Sequence, residues 1–228
     1  MNNRIRKEIE TMIKNNDLQA LLYKSGELHG HLCNYLSYGI IAGTYALKKL
    51  GVNNTGMEEI IAITETNNCF SDGIQMVTGC TLGNNALIFR DFGKTAVTIS
   101  KRNGIAIRLV LKPDFENSRE EQYPEVHNLF YKLVARRESG SPEEYEKMMQ
   151  LFSEMSLNEI KISITEMFYI YEIKINLPEY APIFENIRCE KCGENVIKSK
   201  IIEKDGQKLC VSCANASYLE LNGNGISK

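Results

Sequence analysis

Two groups of sulfur and nitrogen side chains in this sequence have the types and spacing for chemistry. Near the C-terminal end, Cys189-x2-Cys192 and Cys210-x2-Cys213 are separated by seventeen residues. Each Cys-x2-Cys knuckle turns two thiolates toward one point, and two knuckles complete a tetrahedron at Zn–S distances of about 2.3 Å. Four thiolates leave no open coordination position, so the implied zinc is structural. Surface or redox cysteines are the plainer alternative, which this spacing disfavours.

The second group is His29-Gly30-His31-Leu32-Cys33, with Cys69 further along. Three readings stay open. Imidazole and thiolate could meet at an open zinc or transition-metal centre. Cys33 or Cys69 could be a metal-free nucleophile paired with histidine, its thiol pKa lowered at a helix start. Or the thiols are simply buried and a histidine caps a helix. The spacing does not choose between His29 and His31 as a ligand. Glu65 and Asp72 bracket Cys69. They read either as a strand-end charge and a helix cap, or as groups that orient a ligand imidazole or accept a proton. Cys80 is expected in the core and His127 on the surface.

The elements that must position these groups are legible in outline. Residues 3–24 show helical spacing, with Asp17 able to cap a second short helix through Tyr23. A strong helix is predicted from about His31 to Leu50, ended by Gly51. Gly39, Ala42, Gly43 and Ala46 keep it thin, so another element can approach closely. Glu59–Thr64 reads as a buried strand after the turn NNTG at 53–56. A helix is expected from near Ser71 or Asp72 to Gly79, with Cys69 just before it. Asn103-Gly104 predicts a hairpin over 94–112. Residues 114–140 are polar and read as helical in part. Ser141-Pro142-Glu143-Glu144 fits a capped helix start for a helix to about Ser156. Residues 168–176 read as a strand. A stiff Pro-containing linker covers 178–185. It divides an α+β core domain, 1–177, from a zinc-binding module at 186–228. In that module Asp205-Gly206 is a hairpin turn, and the Gly/Asn/Ser tail is expected to be mobile. So small a module cannot build a stable core alone, and metal would supply its folding energy.

Composition narrows the function classes. Of 228 residues, 43% are hydrophobic and 25% charged, which excludes disorder for the whole chain. Lys and Arg number 27 against 29 Asp and Glu, so no global basic field draws the chain to nucleic acid or an anionic membrane. Between Arg188 and Lys228 there are seven basic and five acidic residues, which leaves a local role for the module open. The apolar stretch 36–47 is too short to span a bilayer, and the N-terminus lacks a secretory core. Seven cysteines are an odd number, against a closed disulfide framework. A cytoplasmic chain with reduced thiols is expected.

The sequence resembles the FmdE family, named for a component of formylmethanofuran dehydrogenase. The matching pieces are HGHLC at 29–33, GIIAGTYALKKLGV at 39–52 and TETNNCFSDGIQMVTGCTLG at 64–83. They continue with LIFRDFGKTAVTI at 87–99, RLVLKP at 108–113, LPEYAPIFENIRCEKCGE and KLCVSC. The resemblance implies an α+β core followed by a zinc-binding module, and a tight homodimer. It also implies a core Cys/His cluster that takes a metal ion through His29 or His31, Cys33 and Cys69, with Asp72 nearby. The FmdE component does not carry the formyl chemistry of that enzyme, so no reaction is implied. Two functions are expected. The first is an accessory protein of molybdenum or tungsten enzyme systems, holding structural zinc in the module and a second zinc or transition metal in the core. The second is a regulator or adaptor whose module contacts nucleic acid or a protein.

Overall fold

A computed structural model describes residues 5–53 and 56–228. It divides the chain into two compact units, residues 1–177 and 178–228. The NNTG turn expected at 53–56 and the start of the helix expected at 3–24 lie partly outside the described residues.

The first unit opens with helices α1 (Lys7–Asn15), α2 (Leu18–His29) and α3 (Asn34–Leu50). Asn16, in the left-handed conformation, ends α1, and the Asp17 side chain accepts from the Ala20 amide to start α2. The second helix therefore runs six residues beyond the expected Tyr23 and ends only at Gly30, whose φ of 90° continues no helix. That single left-handed glycine also corrects the start of α3. His31 lies in the connecting loop, and Cys33, in extended conformation, is the N-cap residue. Thirteen of the seventeen residues of α3 are buried, so it is a central helix.

Strand β1 (Ile60–Thr64) is buried throughout and leads into α4 (Cys69–Thr78). The Asn68 side chain accepts from the Phe70 amide, so Cys69 is the first residue of that helix rather than the residue before it. Strands β2 (Leu87–Phe89), β3 (Ala96–Lys101), β4 (Ile105–Leu111) and β5 (Phe168–Lys174) complete a sheet of order β2-β1-β3-β4-β5. The hairpin β3–β4 turns at 102–104 with Gly104 at φ 84°, as Asn-Gly predicts. Three-residue β2, parallel to β1, is too short to show a period in sequence. Helices α5 (Pro113–Gln122), α6 (Pro124–Phe130), α7 (Pro142–Glu159) and α8 (Ile164–Met167) fill the β4–β5 connection. Ser141 and Glu144 form the reciprocal capping box at the start of α7. His127, expected on the surface, is half-buried on α6, because Val126 beside it enters a small core with Met148 and Met155 of α7. Cys80 is fully buried.

The second unit is three two-stranded ribbons: β6 (Asn186–Arg188) with β7 (Asn195–Ile197), β8 (Ile202–Lys204) with β9 (Gln207–Leu209), and β10 (Glu220–Asn222) with β11 (Gly225–Ser227). The tail expected to be mobile thus closes a hairpin, made by Gly225 at φ 92° and by the Asn222 side chain accepting from the Asn224 amide.

One contact sets the arrangement of the first unit. Gly39 of α3 and Gly73 of α4 meet backbone to backbone. A Cβ on Gly39 would lie 2.2 Å from the Phe70 carbonyl oxygen, and one on Gly73 2.5 Å from that of Leu36. Gly43 likewise faces Val77, four residues further along both helices. The two helices therefore run in the same direction, with their N-termini side by side. At the other end of α4, Arg6 donates to the carbonyls of Met76 and Val77, satisfying acceptors the helix cannot satisfy itself. Gly39→Ala is expected to cost about 1–3 kcal/mol or more by overpacking against backbone. Denaturant unfolding of that variant checks this, with Gly51→Ala, whose added Cβ meets nothing within 4 Å, as the comparison for strain at a left-handed glycine.

Candidate metal centre

The parallel approach of α3 and α4 puts their first residues, Cys33 and Cys69, at one place. Gly30 bends the chain so that His29, the last residue of α2, and His31, in the loop, reach the same point. One ligand atom from each of His29, His31, Cys33 and Cys69 lies within 4.8 Å of all the others. Both histidines come in, with ring centroids 4.4 Å apart. The His29 ring is fixed by its other side. Nδ1 sits 2.7 Å from Asp72 Oδ2, which leaves Nε2 facing the sulfurs, 3.8 Å from Cys33 Sγ. In a tetrahedral zinc site, bonds of about 2.3 Å to sulfur and about 2.05 Å to nitrogen imply a separation of about 3.6 Å. The donor set and its spacing therefore fit zinc or another borderline-soft cation. Two imidazoles and two thiolates fill a tetrahedron, so the centre differs from the partly open one expected from the sequence.

The Asp72 carboxylate is itself held. Gln75 Nε2, one turn further along α4, donates to Asp72 Oδ1 at 3.0 Å. The sequence reading missed Gln75, although Asp72-x2-Gln75 is the spacing that places side chains on one helix face. A carboxylate behind a ligand imidazole fixes its tautomer and raises its basicity. Glu65 has no such place. Its two oxygens accept from Arg108 Nε and Nη2 of β4, each at 2.8 Å. The alternation of β1 continues into Glu65, which shares a sheet face with Ile63, Thr98 and Arg108, and so it turns to the guanidinium. Glu65 is thus a paired strand-end charge, which corrects the expectation of a role beside an imidazole. Tyr35, two residues past Cys33, donates to Glu116 of α5 at 2.5 Å. Burial and that carboxylate together raise its hydroxyl pKa.

Without an ion the two thiols share a proton. The hydrogen bond from Cys33 holds the Cys69 thiol pKa down to about 6, aided by His29. Cys33, 4% exposed and acting as donor, is pushed far up. Burial lowers the pKa of His31, keeping it neutral and able to ligate.

In the second unit the four cysteines form the other such cluster among the described residues: Cys189, Cys192, Cys210 and Cys213. The knuckle amides point at sulfur, with Cys210 N 3.3 Å from Cys189 Sγ and Cys213 N 3.3 Å from Cys210 Sγ. Amide donation from Cys192 and Cys210 lowers the Cys189 pKa to about 6. The buried residues of its small apolar cluster are Cys189, Leu209 and Ala214, so the thiolate cage is the centre of the unit.

Comparison with known proteins gives these sites a family. Residues 28–168 match the model described as FmdE, molybdenum formylmethanofuran dehydrogenase operon, and residues 182–219 match the prokaryotic dksA/traR C4-type zinc finger. A probable S-adenosyl-L-methionine-binding protein of Archaeoglobus fulgidus is 40% identical over 218 residues, covering 92% of this chain. The chain spans 57% of that relative's length. An FmdE-like protein of tungsten formylmethanofuran dehydrogenase from Syntrophus aciditrophicus shares the fold, with a TM-score of 0.54 at 21% identity over 89% of this chain and 95% of that one. The chain belongs to the FmdE family and carries a zinc-finger-like module after the FmdE domain. No helix among the described residues is long and apolar enough to cross a membrane.

Two outcomes test the centre. Asp72→Asn should weaken core metal binding about 10–100-fold, read by competition with a chromophoric chelator. At about pH 7.5, where Cys69 is already thiolate and Cys33 still a thiol, filling the core site should release about one proton. As pH falls through about 6, Cys69 takes up a proton as well, and the affinity should then fall more steeply than tenfold per pH unit.

Proposed function

We propose that this member of the FmdE family is a metal-holding accessory protein of molybdenum or tungsten enzyme metabolism. Its core site takes zinc or a similar transition metal on His29 Nε2, His31, Cys33 and Cys69, and its C-terminal module takes a structural zinc. The observation that carries the reading is the convergence of four donor atoms from three separate segments within 4.8 Å, with Asp72 on the far side of one imidazole. Structural need alone does not account for it, since the apolar cluster around α3, α4 and the sheet supplies the core of that unit without metal. The ribbon, with three buried residues in its cluster, has no comparable support. The two metals thus play different parts: the ribbon ion folds its unit, and the core ion is cargo or reagent held at a half-accessible surface formed by His31 and Cys69. The family match supports a link to the molybdenum and tungsten systems, in the cytoplasm, with a second copy of this chain and such an enzyme as partners.

The dksA/traR match favours a second reading, in which the module is an adaptor for a protein or nucleic acid. Binding to duplex or single-stranded probes that falls steeply with salt is its signature.

Metal-replete protein should contain two metals per chain by elemental analysis. Cys33→Ser and Cys69→Ser should each remove one and leave the protein folded, whereas Cys192→Ser should unfold only the C-terminal unit. One metal per chain, unchanged by substitution at Cys33 and Cys69, overturns the core assignment.

A further inference from the structure

Away from both metal clusters, a cleft of about 420 Å³ opens where the C-terminal half of α3 meets the start of α2 and the turn between α7 and α8. Its walls are apolar: Leu18, Ile41, Tyr45, Ile160 and Ile162. Three lysines, Lys48, Lys49 and Lys161, stand around it, and none of the described residues lining it is acidic. Lys49 is paired with Glu172. The ammonium groups of Lys48 and Lys161 contact neutral amide oxygens, Asn16 Oδ1 at 3.1 Å and Asn158 Oδ1 at 3.4 Å. At these two lysines the rim therefore carries positive charge that no carboxylate among the described residues offsets.

Thr44 also lines the cleft. It is 1% exposed, and its hydroxyl is buried with no hydrogen-bond partner. Other buried helical hydroxyls return to a carbonyl in the preceding turn, as Ser37 does to Asn34 O at 2.7 Å, Thr78 to Ile74 O at 2.6 Å and Ser156 to Phe152 O at 2.7 Å. A buried hydroxyl left unpaired is costly, and natural proteins keep few of them. An apolar-walled hollow of this size with one convergent polar group and charges at its mouth has the form of a small-molecule site.

We propose that this cleft binds an amphipathic anion: an apolar chain or ring seated between the isoleucines and Tyr45, and a carboxylate held by Lys48 and Lys161. The Thr44 hydroxyl supplies the single polar contact within. Nothing in this assignment depends on the metal centre. The uncompensated rim selects anion over cation, and the apolar walls select an amphiphile over a bare inorganic anion.

Isothermal titration of the full, metal-replete chain with decanoate below its micellar concentration tests it, with decylammonium as the matched cation. Decanoate should bind at one site per chain, and decylammonium at least about tenfold more weakly. Lys48→Glu combined with Lys161→Glu, both at exposed positions, should weaken decanoate about tenfold or more. Thr44→Val should weaken it several-fold while raising the thermal midpoint of the ligand-free protein, because it removes an unpaired hydroxyl. A merely structural threonine would lower that midpoint instead. Absence of saturable binding, equal affinity for the two amphiphiles, or indifference to the charge reversals overturns the proposal. So does a dimer in sedimentation that the charge reversals dissociate and decanoate does not, since a second copy would then be the occupant.

Discussion

The backbone contact between Gly39 and Gly73 is the constraint on which the first unit depends. Two helices can lie this close only where neither carries a Cβ at the crossing, and here the crossing lies near both N-termini. Parallel helices bring like dipole ends together, an arrangement that costs energy unless negative charge is placed there. Cys33 and Cys69 occupy those ends, and a thiolate is the group such ends favour. The packing and the chemistry are thus one arrangement: close approach concentrates positive potential, and the potential favours ionised sulfur.

Charge balance distinguishes the two clusters. Two thiolates, two neutral imidazoles and a divalent cation sum to zero, which suits a site whose Cys33 is nearly sealed from solvent. Four thiolates around a divalent ion leave a net charge of about −2, tolerable in a small exposed unit where amides point at the sulfurs and basic residues outnumber acidic ones. Asp72 adds a negative charge behind His29 and is itself held by Gln75, so the imidazole is oriented by a chain of side chains along one face of α4.

Much of the layout was readable because local rules govern it. The Ser141 capping box, the Asn103-Gly104 hairpin, the Asp17 cap and the glycines past α3 and α4 each follow from residues within a few positions of one another. Expectations failed where a long-range partner decided. Three-residue β2 exists because β1 offers it an edge. The stop of α2 at His29 turned on whether Gly30 took a left-handed conformation, a choice that the packing of HGHLC made. Glu65 was drawn to Arg108, forty-three residues away, by strand alternation across the sheet.

From the sequence alone came the ribbon cysteines, because Cys-x2-Cys spacing builds half a metal site within four residues, and the thinness of α3, because its small residues recur at helical intervals. Only the tertiary structure decided that both histidines join Cys33 and Cys69, that Asp72 and not Glu65 stands behind them, and that Thr44 opens onto a cleft. Those outcomes depend on where helices cross and which way rings turn once they do. Such quantities are set by contacts between residues far apart in the chain, and spacing along it does not encode them.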